Sequence, residues 1–312
     1  MDDANDLLLN LGASLLNRRR FFFKYMSLET ALAVLSNQTL RWSTPEILND
    51  PFDMNFNLHI DVDFSRVKQL VLDQSYNDHF GESPAPPGNA LGALIAIARR
   101  GFASKGISMT REEFDANFES AIDESLTKIS PGVDVAAAEV RPMLRQTKVL
   151  CLTAHPDNML MWSHYAQQHS GVVIRLETIP ELNSPYSMAR EVIYAPSMPR
   201  WMDEQGLADL LSGRSQSNPE ELLAKLIYTK SHHWSYEAEW RVGAGFGRDR
   251  AAPFEDLKFG AAELESMIFG CRIADEQRER LRIVARRVNP WVKFWAARPA
   301  KREFRMEIVR VD

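Results

Sequence analysis

The sequence predicts an α+β fold with a mixed or antiparallel central sheet, and three observations predict it. The chain opens in a strand–helix–strand order, and from Phe64 to about Arg145 it turns to helical periods. It then returns to short strands separated by single helices up to its end. Neither an internal repeat nor a long low-complexity segment interrupts that order.

Asp6 to Asn17 reads as a short amphipathic helix, followed by Arg18-Arg19-Arg20, cations that suit a helix end. Residues 1–20 are therefore expected as an N-terminal helix ahead of one α+β domain over 21–312. Phe21-Phe22-Phe23-Lys24-Tyr25 is a strand, and Ser27 caps a helix over Leu28 to Ser36. Leu40 to Ser43 is a second strand, closed by Pro45 and followed by the turn-rich Asn49-Asp50-Pro51-Phe52-Asp53. Helices are expected at Ser65–Tyr76, Asn89–Ser104, Thr110–Lys128 and Val135–Leu144, which makes 64–145 a helical insertion or subdomain. Strands return at Lys148–Thr153, Gly171–Glu177 and Glu191–Tyr194, with a helix from about Pro156 to Gln167. Helices near Trp201–Leu211 and Pro219–Thr229 lead to an acidic strand, Glu237–Gly243. The remainder reads as a strand at Met267–Phe269, a helix at Asp275–Arg287, and strands at Trp291–Ala297 and Glu303–Val309.

The acidic strand carries the chemistry. Alternation puts Glu237, Glu239 and Arg241 on one face and Tyr236, Ala238, Trp240 and Val242 on the other. Paired carboxylates repel unless a cation balances them, so the pair marks either a reactive site or a charge ladder on an exposed edge. With 312 residues, 45% hydrophobic and 25% charged, the composition is that of an ordinary globular chain. The net charge of −5 argues against a dedicated nucleic-acid coat and leaves room for a local basic patch. Cys151 and Cys271 stand far apart, so neither a disulfide framework nor a zinc ribbon is expected. His155, His164 and His169 cluster without a spaced ligand set, and no metal site is expected. The acidic start lacks the basic lead of a signal peptide, and no apolar run is long enough to span a bilayer. A cytoplasmic protein is the expectation, with no membrane partner.

Several segments resemble a bacterial domain-of-unknown-function family, DUF2971, from about Phe21 onward. They include Lys24-Tyr25, Leu40 to Pro45, Asn49 to Asp53, Asn158 to Ala166, Gly171-Val172 and Trp234 to Arg241. The family name carries no activity. A second resemblance supplies one. An early strand with Lys24-Tyr25, a next strand with Ser43-Thr44 and a late Glu-x-Glu are similar in order to mono-ADP-ribosyltransferases. That resemblance implies a sheet of ADP-ribosyltransferase-like type and NAD as substrate. It further implies a protein or nucleic-acid acceptor, a toxin or phage-defence role, and a cognate antitoxin or regulator.

Under it, Glu239 faces the ribose and Glu237 activates the acceptor. Ser43 bonds near the ribose, Tyr25 or Trp162 stacks on the cationic ring, and Lys24 or Arg41 meets the pyrophosphate. His164 and Arg241 lie in the matched motifs and complete the set. Each has a structural alternative: Trp162 and Trp240 as core, Ser43 as turn chemistry, Lys24 as a snorkelling stem, Asn49-Asp50-Pro51 as a fixed loop. Two other functions fit the same residues. One is a magnesium nuclease using Asp50, Asp53, Glu237, Glu239 and Lys230; the other is a nucleotide-binding domain without turnover, using Tyr25, Trp42 and Trp162.

Overall fold

Two pairs of apolar side chains in the first strand set the two faces of the sheet. Phe22 and Met26 point into one apolar cluster with Leu35, Trp42, Val242 and Phe269. Phe23 and Tyr25 point into another with Trp162, Val173 and Ile268. Burying each such side chain contributes about 1.5–3 kcal/mol, so a strand with apolar groups on both faces is held in the middle of a sheet.

The computed structural model describes residues 16–55, 59–216 and 218–311. Its strands are β1 (Phe21–Met26), β2 (Thr39–Ser43), β3 (Val149–Thr153), β4 (Val172–Glu177), β5 (Arg190–Glu191), β6 (Ile193–Ala195), β7 (Thr229–Ser231), β8 (Glu239–Gly243), β9 (Phe254–Lys258), β10 (Leu264–Phe269), β11 (Lys293–Pro299) and β12 (Met306–Arg310). Its helices are α1 (Leu28–Asn37), α2 (Phe64–Phe80), α3 (Ala90–Ser104), α4 (Arg111–Thr127), α5 (Ile129–Gln146), α6 (Met159–Tyr165), α7 (Glu204–Leu211), α8 (Pro219–Tyr228) and α9 (Asp275–Val288). The helix expected over Asp6 to Asn17 lies outside the described residues but for its last two, and 16–20 have no regular structure.

The chain divides into two compact units, one of Met1–Phe56, Met143–Met198 and Leu223–Asp312, the other of Asn57–Pro142 and Pro199–Leu222. The first holds the central sheet, in the order β12-β11-β10-β4-β1-β3-β2-β9, with β8 added on β3 and β5 on β8. Its pairings are antiparallel except β10 with β11, so the sheet is mixed and mostly antiparallel. β1 pairs with β4 along its whole length but meets β3 at a single position, Phe23 opposite Thr153. Beyond that position β1 and β3 are not paired to each other, and a cavity lies against both.

α6 begins where Asn158 accepts from the Leu160 and Met161 amides at 2.9 and 3.2 Å. The helix expected to reach Gln167 stops at Tyr165, because Gln167, Gln168 and His169 all take positive φ. Gly171 then closes the turn, its amide donating to the Ala166 carbonyl at 2.8 Å. A Cβ there would lie 2.3 Å from the Met26 carbonyl oxygen. Gly171→Ala is therefore expected to lower the melting temperature by several degrees, since backbone must move to admit the methyl. Gly101→Ala, in α3, meets nothing within 4 Å and should raise it slightly. Parallel thermal denaturation of the two variants checks the contrast.

The second unit is helical. α2 and α7 share a core of Val67, Val71, Leu207 and Ala208. Their C-terminal ends are tied by Arg214 to Asp78 at 2.8 Å and Ser212 to Gln74 at 2.6 Å. Thr110 and Glu113 cap α4 reciprocally. The helices expected within 64–145 are thus joined by the later α7 segment. Among the described residues no helix is long and apolar enough to cross a membrane.

Candidate functional site

The site is assembled by the chain from β7 to β8. Lys230 lies in β7, a short 3-10 turn follows over His232–Glu237, and Ala238 takes a left-handed conformation at φ 43° before β8 begins. The two glutamates therefore do not alternate along one strand, contrary to the sequence expectation. Glu237 is outside β8, held there because Thr153 Oγ1 donates to its carbonyl at 2.5 Å and Ala154 N donates to the Ala238 carbonyl at 3.1 Å. Glu239 and Arg241 do share a strand face, but that strand is buried between β3 and β5 and is not an exposed edge.

Three carboxylates meet two cations here. Lys230 Nζ donates to Glu237 at 2.6 Å and Glu239 at 3.0 Å, and lies 3.5 Å from Asp53. Arg241, 0% exposed, donates to Glu239 through Nε at 2.8 Å and Nη2 at 3.0 Å. The same Nη2 reaches Asp53 at 2.6 Å, and Nη1 reaches the Ile227 carbonyl at 2.7 Å. Asp53 comes from the Asn49–Asp53 turn, where Asp50 fixes the backbone by accepting from Phe52 N at 2.9 Å. Asn49, in the same turn, donates to the Tyr165 hydroxyl at 2.7 Å, and Tyr165 donates to Glu237 Oε1.

Their protonation follows from that surplus of one acid. Burial favours the neutral form of Glu239, but Arg241 and Lys230 override it and hold its pKa down to about 2. Burial raises Glu237 above the ordinary carboxylate range, with Lys230 opposing and Glu239 adding to the rise. Asp53 is raised as well, first by burial and against the pull of Arg241. Its Oδ1 is buried without a hydrogen-bond partner. Glu239 is thus held as the anion, and Glu237 and Asp53 are the two carboxyls that burial shifts toward the neutral form.

The cavity at the β1–β3 opening has a volume of about 270 Å³ and is walled by these groups. Phe23, Lys24 and Tyr25 line it from β1, with Cys151 and Thr153 from β3. Met161 and Tyr165 line it from α6, and Asn49, Asp53, Lys230, Glu237 and Glu239 form its charged side. Lys24 Nζ reaches the Cys151 carbonyl across the opening at 2.9 Å, and burial lowers its pKa. The Tyr25 hydroxyl donates to the His155 carbonyl at 3.0 Å.

The sequence-predicted residues separate cleanly. Lys24, Tyr25, Glu237 and Glu239 line the cavity. Arg241 stands behind it as the buried partner of Glu239. Arg41 is exposed, paired with Asp256 at 3.1 Å and stacked on Phe254 at 3.7 Å, because β2 faces β9 at that point. Ser43 lies on the far side of β3, opposite Val149. Trp162 is 0% exposed, its Nε1 donating to the Pro156 carbonyl at 2.8 Å, which makes it core and not a ring platform. His164 is exposed, its ring 6.2 Å from Tyr236. Lys230 Nζ stands among Asp53, Glu237 and Glu239, where the magnesium reading would put the ion, and Asp50 accepts from Phe52 N in its own turn. Among the described residues no group of three His, Cys, Asp or Glu is disposed to hold a metal.

Two contributors were not singled out from sequence for these roles, Tyr165 and Asn49. Tyr165 was legible in principle: it follows Met161 by four residues, which places both on one face of α6.

The fold and site define an α+β chain whose split sheet holds a buried carboxylate–lysine–arginine cluster. Residues 161–242 match the model of a family described as a protein of unknown function, DUF2971. The matched segment contains Tyr165, Lys230, Glu237, Glu239 and Arg241, whereas Lys24, Asn49 and Asp53 precede it. No curated protein and no solved structure matches the chain.

Proposed function

We propose that this protein is an NAD-consuming enzyme of ADP-ribosyltransferase-like type, a cytoplasmic toxin or phage-defence effector, with Glu237 as the carboxylate facing the sugar. One observation carries the reading: Lys24 and Tyr25 of the first strand meet a late buried glutamate in one cavity. At about 270 Å³ that cavity accepts the nicotinamide–ribose end of a dinucleotide and leaves the adenylate outside.

The residues supply what glycosidic cleavage needs. Phe23 and Tyr25 offer aromatic faces to a cationic ring. Glu237 accepts one bond on each oxygen from Tyr165 and Lys230, and each oxygen keeps a lone pair for a ribose hydroxyl. As the C–N bond breaks, its electron pair returns to the ring nitrogen and neutralises nicotinamide. The carboxylate offsets the oxocarbenium charge left on the sugar. Water or an acceptor hydroxyl then adds to that carbon and gives its proton to Glu237. Lys24, with N–H groups beyond the one on Cys151, meets the first phosphate.

Incubation with nicotinamide-labelled NAD, alone and with cell lysate, tests the assignment. Labelled nicotinamide should be released equally with and without EDTA. Folded protein that releases none, in either arm, would overturn it.

A further inference from the structure

A second cavity, of about 610 Å³, opens beside the β11–β12 hairpin, and its lining is basic. Arg272, Lys301, Arg302 and Arg305 face it. Arg305 is paired with Glu303 at 2.5 Å, and Arg272 makes one long bond, 3.5 Å, to the Gln168 carbonyl. Lys301 and Arg302 are exposed and have no acidic partner among the described residues. Phe304, two residues beyond, is 97% exposed. The hairpin itself is fixed, Ala300 N donating to the Arg305 carbonyl at 3.0 Å. On the inner wall stands His169, whose Nδ1 is buried and has no hydrogen-bond partner.

We propose that this cavity binds single-stranded nucleic acid, with phosphodiesters on Lys301, Arg302 and Arg272 and a base stacked on Phe304. Exposed cations alone are ordinarily a solvated face. Here they line one concave wall together with a nearly bare aromatic ring and with Glu303, which Arg305 pairs, in a chain of net charge −5 that gives polyanions no general attraction. A ring among cations matches the stacking platform and electrostatic track of single-strand binders. Duplexes keep their base faces hidden, so the ring would gain nothing from them. An anionic membrane calls for a broad apolar face, and the hairpin loop exposes one large apolar side chain.

The position relates the two cavities: Met159, at the start of α6, lines this one, and Met161 and Tyr165 of the same helix line the first. A strand held here lies one short helix from the proposed catalytic pocket. Binding does not depend on the NAD reading.

The probes are fluorescein-labelled oligouridylate and oligothymidylate of about 12 nucleotides, within the usual single-strand site size. Anisotropy titrations with the full chain should show binding that weakens with salt. Lys301→Glu with Arg302→Glu should weaken it at least tenfold and flatten the salt dependence by about one to two phosphate contacts. Phe304→Ala should weaken it by about fivefold or more and leave the salt slope unchanged. All three positions are exposed, so the variants should melt as the parent does. The proposal falls if the parent binds neither oligonucleotide, or if these variants bind as the parent does. It also falls if duplex, polyglutamate or anionic vesicles bind more tightly. Glu237→Gln should bind the probes normally, which separates failure of this site from failure of the NAD assignment.

Discussion

Arg241→Met is expected to lower the melting temperature by about 10 °C, the largest stability loss of any single change at the site. The guanidinium is wholly buried and donates to Asp53, Glu239 and the Ile227 carbonyl. Methionine fills much of the volume but supplies no donor, so two buried carboxylates lose a partner. Breaking such a pair typically costs about 3–5 kcal/mol, more than the intact pair contributes, because the orphaned charge remains buried. Arg241→Lys should be intermediate, since an ammonium cannot reproduce the forked contact to Glu239. Adding Asp53→Asn to Arg241→Met should recover part of the loss, as expected for residues in one network. Equal melting of Arg241→Met and the parent would refute this account of the cluster.

Acid titration follows from the same contacts. Glu239 has a folded pKa of about 2 against an ordinary 4.5, so its contribution is fully present above about pH 4.5 and is lost as pH falls toward 2. Asp53 and Glu237 are raised and act with the opposite sign. Their contributions are present below the ordinary carboxylate pKa and decline as pH rises through the folded values. Denaturant unfolding from pH 2 to 5 should therefore show a Glu239-dependent loss of stability at the acid end. Glu239→Gln should flatten that loss.

The first half of the site was readable because local signals there agree with the tertiary structure. Phe21 to Tyr25 is β-rich, Ser27 caps its helix by accepting from Thr30 N at 3.2 Å, and Asn49 to Asp53 carries strong turn residues. The second half was not, for identifiable reasons. Tyr236 to Arg241 alternates as a strand would, but long-range bonds from Thr153 and Ala154 draw Glu237 and Ala238 out of that register. The left-handed residue at the break is alanine, which gives no warning of positive φ. β7 has three residues and its Thr229 continues the helical pattern of α8, so the sequence extends that helix to Thr229 and shows no strand around Lys230. β9 was missed because its alternating Phe254–Lys258 run follows a stretch of glycine, alanine and proline that reads as loop. The separation of Glu237 from Glu239 in role depends on Arg241, and no spacing rule encodes that.

Glu237→Gln is expected to reduce nicotinamide release about 10²–10⁴-fold, the range ascribed to a positioned acid–base group. The amide keeps one acceptor, which Lys230 or Tyr165 can still engage, so the fold should lose only about 1–2 kcal/mol. The fall should appear in kcat more than in KM, since the carboxylate is needed where charge develops on the sugar. Glu239→Gln should behave in the reverse sense. It loses the charge that Arg241 and Lys230 enclose, so its main effect is on stability, with activity falling in step with the folded fraction. Tyr165→Phe provides an intermediate case: it removes the donor on Glu237 Oε1, and the pH profile of release should shift because that bond favours the carboxylate. If Glu239→Gln folds and is inactive while Glu237→Gln turns over normally, the two roles are exchanged. If both turn over NAD normally, neither glutamate faces the reacting sugar, and the cavity is left with only its cations and aromatic rings to act on a ligand.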